Sequence, residues 1–130
     1  NGAIDDLSHV IYSNPKSSEA YFKRGFLKQS VNNLLGALED YNKSLELDPQ
    51  NADCYKNRAI LYYDKKEYYR TIEDMNKFIE FYPEDPIPYY YRGLSRIETG
   101  EKGDGCLDLK KAVELGFAKA SDKINELCGN

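Results

Sequence analysis

Apolar residues recur along the chain at spacings of three and four, the mark of helices with one buried face. Ala3, Ile4, Leu7, Val10 and Ile11 set out a first helix over residues 1–13. Ser13-Asn14-Pro15 stops it, because a proline drives the residue before it out of helical geometry. Ser17 and Ser18 supply caps for a second helix over 18–30, which turns at Asn32-Asn33 into a third over 34–47. The pattern predicts two more helices over 52–64 and 67–81. Another opens at Pro86, with Asp85 as its cap, and runs to Thr99. After a turn at Gly100 to Gly103 the next continues to Leu115, where Gly116 suits a left-handed cap. A short last helix is expected over 118–128. Nothing alternates with period two, so no strand is predicted, despite the strand propensity of Tyr89-Tyr90-Tyr91.

These helices share a register of 34 residues. Tyr21, Arg24, Gly25, Ala37, Asp40, Tyr41 and Pro49 return as Tyr55, Arg58, Ala59, Thr71, Asp74, Met75 and Pro83. They return again as Tyr89, Arg92, Gly93, Gly105, Asp108, Leu109 and Phe117, and Ala3, Asp6, Leu7 and Pro15 keep half of the set upstream. A fixed period of this length signals stacked helix hairpins, none of which buries its apolar face alone. The predicted class is all-α, a right-handed superhelix (α-solenoid) of antiparallel helix hairpins. Its parts are a half-repeat at 1–17, repeats at 18–51, 52–85 and 86–119, and a capping helix at 120–130, within one domain. Starting inside a half-repeat and without Met, the chain reads as a trimmed fragment or a processed protein.

Composition narrows the function classes. The net charge is −4 and acidic and basic residues are interspersed, with no basic block, so nucleic acid is not an expected partner. No apolar run approaches the length of about 18 residues that spans a membrane. His9 is the only histidine, and no phosphate loop, Ser/His/Asp set or metal-ligand cluster is visible. Neither catalysis nor a cofactor is therefore expected. Asn42-Lys43-Ser44 matches a glycosylation sequon but falls within a helix.

Three cysteines are too few for a disulfide scaffold. Cys106 and Cys128 stand equally far either side of Phe117, the centre of the last turn, and should lie level on adjacent helices. A disulfide is within geometric reach, the alternative being two reduced, buried thiols. The first would place the chain in an oxidising, periplasmic or extracytoplasmic compartment, the second in the cytoplasm. Cys54 is expected to be free in either case.

The repeated set resembles the tetratricopeptide repeat family, whose pattern is W-x2-L-G-x2-Y, A-x3-F, P. The three copies read Tyr21-x2-Arg24-Gly25 with Ala37-x3-Tyr41, Tyr55-x2-Arg58-Ala59-x2-Tyr62 with Thr71-x3-Met75, and Tyr89-x2-Arg92-Gly93 with Gly105-x3-Leu109. Phe117 stands where the third proline would be. Lys28 and Arg96 replace the aromatic that Tyr62 keeps, which suggests looser packing there. The resemblance implies a protein-interaction scaffold that takes a peptide in a concave groove lined by the first helix of each hairpin. The family's carboxylate clamp does not carry over. Phe22, Phe26, Ile87 and Tyr91 occupy positions where it has polar and basic residues, and only Asn57 matches. Alternatives from other classes are a self-associating assembly module and a regulatory domain of a larger enzyme.

Two constellations follow from the register. On the first helix of each hairpin, the rows Phe22/Lys56/Tyr90, Phe26/Ile60/Leu94 and Gln29/Tyr63/Ile97 face one way. They predict an apolar groove in which Phe22, Tyr63 and Tyr90 are anchors and Lys56 meets a carboxylate, with core packing as the other reading of Phe26, Ile60 and Leu94. Equidistance from the prolines pairs Asp6 with Arg24, Asp40 with Arg58 and Asp74 with Arg92, mostly buried between repeats. The lone first helix should leave Ile4 and Ile11 uncovered and invite a homodimer through the N-terminal edge.

Overall fold

A computed structural model describes residues 2–129, which contain eight α-helices and no strand. They are α1 (Gly2–Ser13), α2 (Ser18–Ser30), α3 (Leu34–Leu47), α4 (Ala52–Asp64), α5 (Tyr68–Phe81), α6 (Pro86–Glu98), α7 (Lys102–Glu114) and α8 (Ala120–Lys123). The chain beyond α8 runs on as a π-helical turn, Ile124–Cys128. The fold is all-α. It divides into two compact units, one ending at Leu61 and the other beginning at Tyr62.

Local signals set the helix ends. The hydroxyl of Ser17 accepts from Ala20 N (3.2 Å), Asn33 Oδ1 from Gly36 N (3.1 Å) and Asp85 Oδ1 from Ile87 N (2.9 Å). Each side chain thereby satisfies an amide that has no partner within its helix. The turns inside the hairpins also repeat. Asn32, Lys66 and Gly100 all have positive φ (64°, 63° and 93°). The next amide closes back on the helix each time, Asn33 N to Lys28 O, Glu67 N to Tyr62 O and Glu101 N to Arg96 O. This is the Schellman closure, which needs one left-handed residue.

In the N-terminal unit α2 packs against α3, and α1 against α2. The core is Ala37, Tyr41, Leu45, Cys54 and Leu61, with Phe22, Leu38 and Tyr55 against it. A Cβ on Gly25 would lie 2.9 Å from the Tyr41 ring, so this glycine lets the ring in. Ile11 is buried, whereas the pattern had left it uncovered; on α1 it is Val10 and Tyr12 that face solvent. The rotation of α1 onto α2 accounts for the change, since neighbours on a helix differ by about 100°.

The C-terminal unit packs α6 against both α5 and α7, with α8 on α7. Tyr89, Tyr90, Leu94, Leu109, Ala112 and Ala120 form its core. α6 and α7 touch through glycines: a Cβ on Gly105 would lie 2.6 Å from the Gly93 carbonyl oxygen and from Ile97 Cγ1. Cys106 and Cys128 are joined in a disulfide, with Cα atoms 5.9 Å apart, and Cys54 is a buried thiol outside it.

Candidate functional site

On α2 of the N-terminal unit, Phe22 is half-buried with its ring tilted against Tyr41 at 6.1 Å. One turn on, Phe26 is 51% exposed. With Leu7 of α1, Leu27 and the stem of Lys23 they line an apolar hollow of about 270 Å³. A second hollow of about 250 Å³ adjoins it, lined by Leu7, Val10, Ala20 and Lys23 among others, with Lys23 paired to Glu19 at 2.7 Å on its rim. Lys56 and Ile60 stand half-buried on α4. Sequence reasoning missed Leu7 and Leu27. Their signal was helical spacing, since Leu7 stands three and four positions from Ile4 and Ile11, and Leu27 four from Lys23, which lines the same hollow.

The C-terminal members of the predicted groove are interior. Tyr90 is 7% exposed and Leu94 6%, which corrects the expectation that Tyr90 is an anchor open to solvent. The physical reason is the chain end. The Phe117 ring stands edge-on to Tyr90 at 5.0 Å, and Ile124, Leu127 and Cys128 pack on the same cluster. Tyr63 is half-buried among Tyr68 (5.7 Å) and Tyr91 (5.2 Å), and burial first, then the neighbouring Tyr68, pushes its phenol up to about 12. Ile97 is half-buried over Gly105. A larger hollow of about 530 Å³ lies elsewhere on this unit, among Lys66, Glu67, Tyr69, Arg70, Glu98 and Thr99. Its charges are mixed, and Arg70 stacks 5.5 Å over the Tyr62 ring beside it.

In each unit an arginine and an aspartate of one hairpin pair with each other. Arg24 donates from Nε and Nη2 to both oxygens of Asp40 (2.7 Å each), and Arg92 likewise to Asp108 (2.9 and 2.8 Å). The predicted Asp6–Arg24 and Asp74–Arg92 partnerships are replaced, as is Asp40–Arg58. Asp6 is exposed, while Asp40 and Asp74 are buried. From each of the three arginines, Nη1 reaches back to the preceding helix. Arg24 Nη1 donates to Ser8 Oγ (3.1 Å), Arg58 Nη1 to Asn42 Oδ1 (2.9 Å) and Arg92 Nη1 to Asn76 Oδ1 (2.9 Å). All three steps are 16 residues, so levels are counted from Lys16, Gln50 and Glu84, one residue past the prolines. That offset shifts the partner by two positions, about 200° around its helix. Asp40 holds the Arg24 guanidinium's proton more tightly than usual, chiefly through the hydrogen bonds between them.

Lys28 and Arg96 do not loosen the packing, as was expected of them. Lys28 Nζ lies 3.2 Å from Asp40 Oδ2, and Arg96 Nη1 lies 2.8 Å from Asp108 Oδ2. Each buried carboxylate thus meets two cations, the arrangement that makes a charge tolerable away from water. Among the described residues, no three His, Cys, Asp or Glu side chains gather as metal ligands would, and no helix is long and apolar enough to cross a membrane.

Residues 30–66 match the family described as TPR repeat. No curated protein matches the chain by sequence. Among solved structures, MamA superposes with a TM-score of 0.82 at 26% identity, over 93% of this chain and 66% of MamA's length. YrrB, described as a TPR protein with an unusual peptide-binding site, gives 0.76 at 27% identity, over 85% of this chain and 57% of its own. The first TPR of Spaghetti (RPAP3), solved with an HSP90 peptide SRMEEVD, gives 0.78 at 19% identity, over 85% and 90%. The chain thus spans about two thirds of MamA and less of YrrB.

Proposed function

We propose that the chain is a tetratricopeptide-repeat interaction scaffold, as its all-α fold and its matched repeat support, whose N-terminal unit holds an apolar side chain of a peptide between α1 and α2. The observation that carries this reading is Phe26, a large aromatic half open to solvent at the edge of an apolar hollow. Exposed aromatics beside a pocket are the usual anchors of a binding surface. A hollow of about 270 Å³ is of the size that takes one or two side chains, not a whole cofactor. The peptide-binding site named for YrrB and the HSP90 peptide named for the Spaghetti domain support the general role and not the ligand, since the aromatic rows here differ from a clamp built on charges.

The test is a displayed random-peptide library panned on the whole chain, followed by fluorescence anisotropy with the recovered peptides. Recovered sequences should share a large apolar residue. Phe26→Ala should weaken binding about tenfold, since truncating such an anchor costs over 1 kcal/mol. The thermal midpoint should barely move, because half of that ring is already in water. Raising salt tenfold should change affinity less than about threefold, because screening acts on exposed charges. Peptides that bind Phe26→Ala as well as the parent would place the site elsewhere.

A further inference from the structure

We propose that the Cys106–Cys128 disulfide is a redox latch, which holds the C-terminal segment against the apolar core that α6 and α7 share and which a dithiol reductant opens. Cys106 stands on α7, and Cys128 ends the π-turn 22 residues later. Between them lie the four residues of α8 and the five of the π-turn. Helices this short have no stability of their own in water. The segment's grip on the unit is slight: Ala120 is buried, while Ile124, Leu127 and Cys128 rest half-buried on the core. Its ion pair, Lys123 with Glu126, is internal to the segment. The crosslink is what ties its far end down.

What the segment covers gives the latch a consequence. The segment packs on α7, and its Ile124 and Leu127 join the apolar cluster that holds Tyr90 and Leu94 of α6, with Phe117, just before the segment, edge-on to Tyr90. Tyr90 and Leu94 stand at the repeat positions of Phe22 and Phe26, the aromatics that line the open hollow of the N-terminal unit. Opening the latch would loosen the cover on Tyr90 and Leu94, at the same repeat positions in the C-terminal unit. This correspondence rests on the peptide-binding reading above, whereas the latch does not.

Both sulfurs sit in half-buried residues, within reach of a small reductant. One thiolate of the dithiol attacks a sulfur of the pair to give a mixed disulfide, and its second thiol displaces the remaining cysteine. The dithiol ends as a cyclic disulfide, and its two protons end on Cys106 and Cys128. Cys54 takes no part, being buried with its Sγ 3.5 Å from the Tyr41 carbonyl oxygen.

Hydrogen exchange read by mass spectrometry tests the latch on the full chain, before and after dithiothreitol, with thiol tagging to count free cysteines. Releasing a loop of this length raises the open population on the order of 100-fold. Amides of 118–128 should therefore exchange about that much faster on reduction, while those of α2 and α3 keep their protection. Cys106→Ser together with Cys128→Ser should reproduce the reduced pattern without dithiothreitol. Three free thiols in the native protein would overturn the proposal. So would unchanged exchange at 118–128 once reduction is confirmed, and so would a parallel loss of protection in α2 and α3, which would make the bond a plain global staple.

Discussion

The residues that bind the helices of each hairpin together show how far spacing alone can be read. The 34-residue recurrence of arginine and aspartate was plain in the sequence, and so was the burial of Asp40, Asp74 and Asp108, though not of Asp6. The partners were not, because an error of one residue in the centre of a turn rotates the facing residue away. Lys28 and Arg96 were misread for a related reason. They stand where the family pattern has an aromatic, but each answers the carboxylate lying 12 residues ahead of it. The structure makes Asp108 the hub of the C-terminal unit, held by Arg92 and Arg96 with its side chain 8% exposed. Asp108→Asn leaves two guanidinium groups facing a neutral amide. The expected loss is about 3 kcal/mol, the scale of breaking a buried pair rather than a surface one. Urea unfolding of parent and variant measures it, and a loss under about 0.5 kcal/mol would class the cluster with ordinary surface pairs.

Element boundaries were legible where one side chain or one glycine decides them, as at Ser17, Asn33, Asp85 and Gly100. The last element was not, since a helix expected over 118–128 is four residues of α-helix and a π-turn. Its form depends on the disulfide and on the core it lies against, and neither belongs to local pattern. The approach of α6 to α7 was legible, because Gly93 and Gly105 fall at the small-residue positions of the register. Its tightness is now quantified by a Cβ that would lie 2.6 Å from both a carbonyl oxygen and Ile97. Gly105→Ala gains helix propensity of up to about 1 kcal/mol, which would stabilise a solvent-facing site. At this contact the overpacking term, about 1–3 kcal/mol, opposes it, and backbone cannot swing aside as a side chain can. A net loss is expected. Gly103→Ala, with open space around its Cβ, is the matched control and should be neutral or stabilising in the same melting experiment.

At the scale of the molecule, the class of fold was readable from period alone, and the candidate site only in its N-terminal half. Phe22 and Phe26 border a hollow, whereas Tyr90 and Leu94, at equivalent positions, are closed over by the chain end, which no periodic argument includes. Tyrosine, 12 residues of 130, links both units to one solution property. Burial is the largest cause that raises Tyr41 in the N-terminal unit above the ordinary phenol range, and Tyr63 and Tyr91 in the C-terminal unit. Tyr63 is lifted to about 12, with Tyr68 and Tyr90 adding to the effect of burial. An unfolded phenol ionises near pH 10, so in that window the unfolded chain has already lost a proton that the folded one keeps. The stability from these groups is therefore complete below about pH 10 and falls as pH rises toward 12. Urea unfolding at steps from pH 8 to pH 12 should show a plateau and then a decline, with tyrosinate absorbance following it. Tyr63→Phe removes one of the titrating groups and should make the decline shallower without moving the plateau by much. If the variant declines as steeply as the parent, the Tyr63 phenol is not held neutral by the fold.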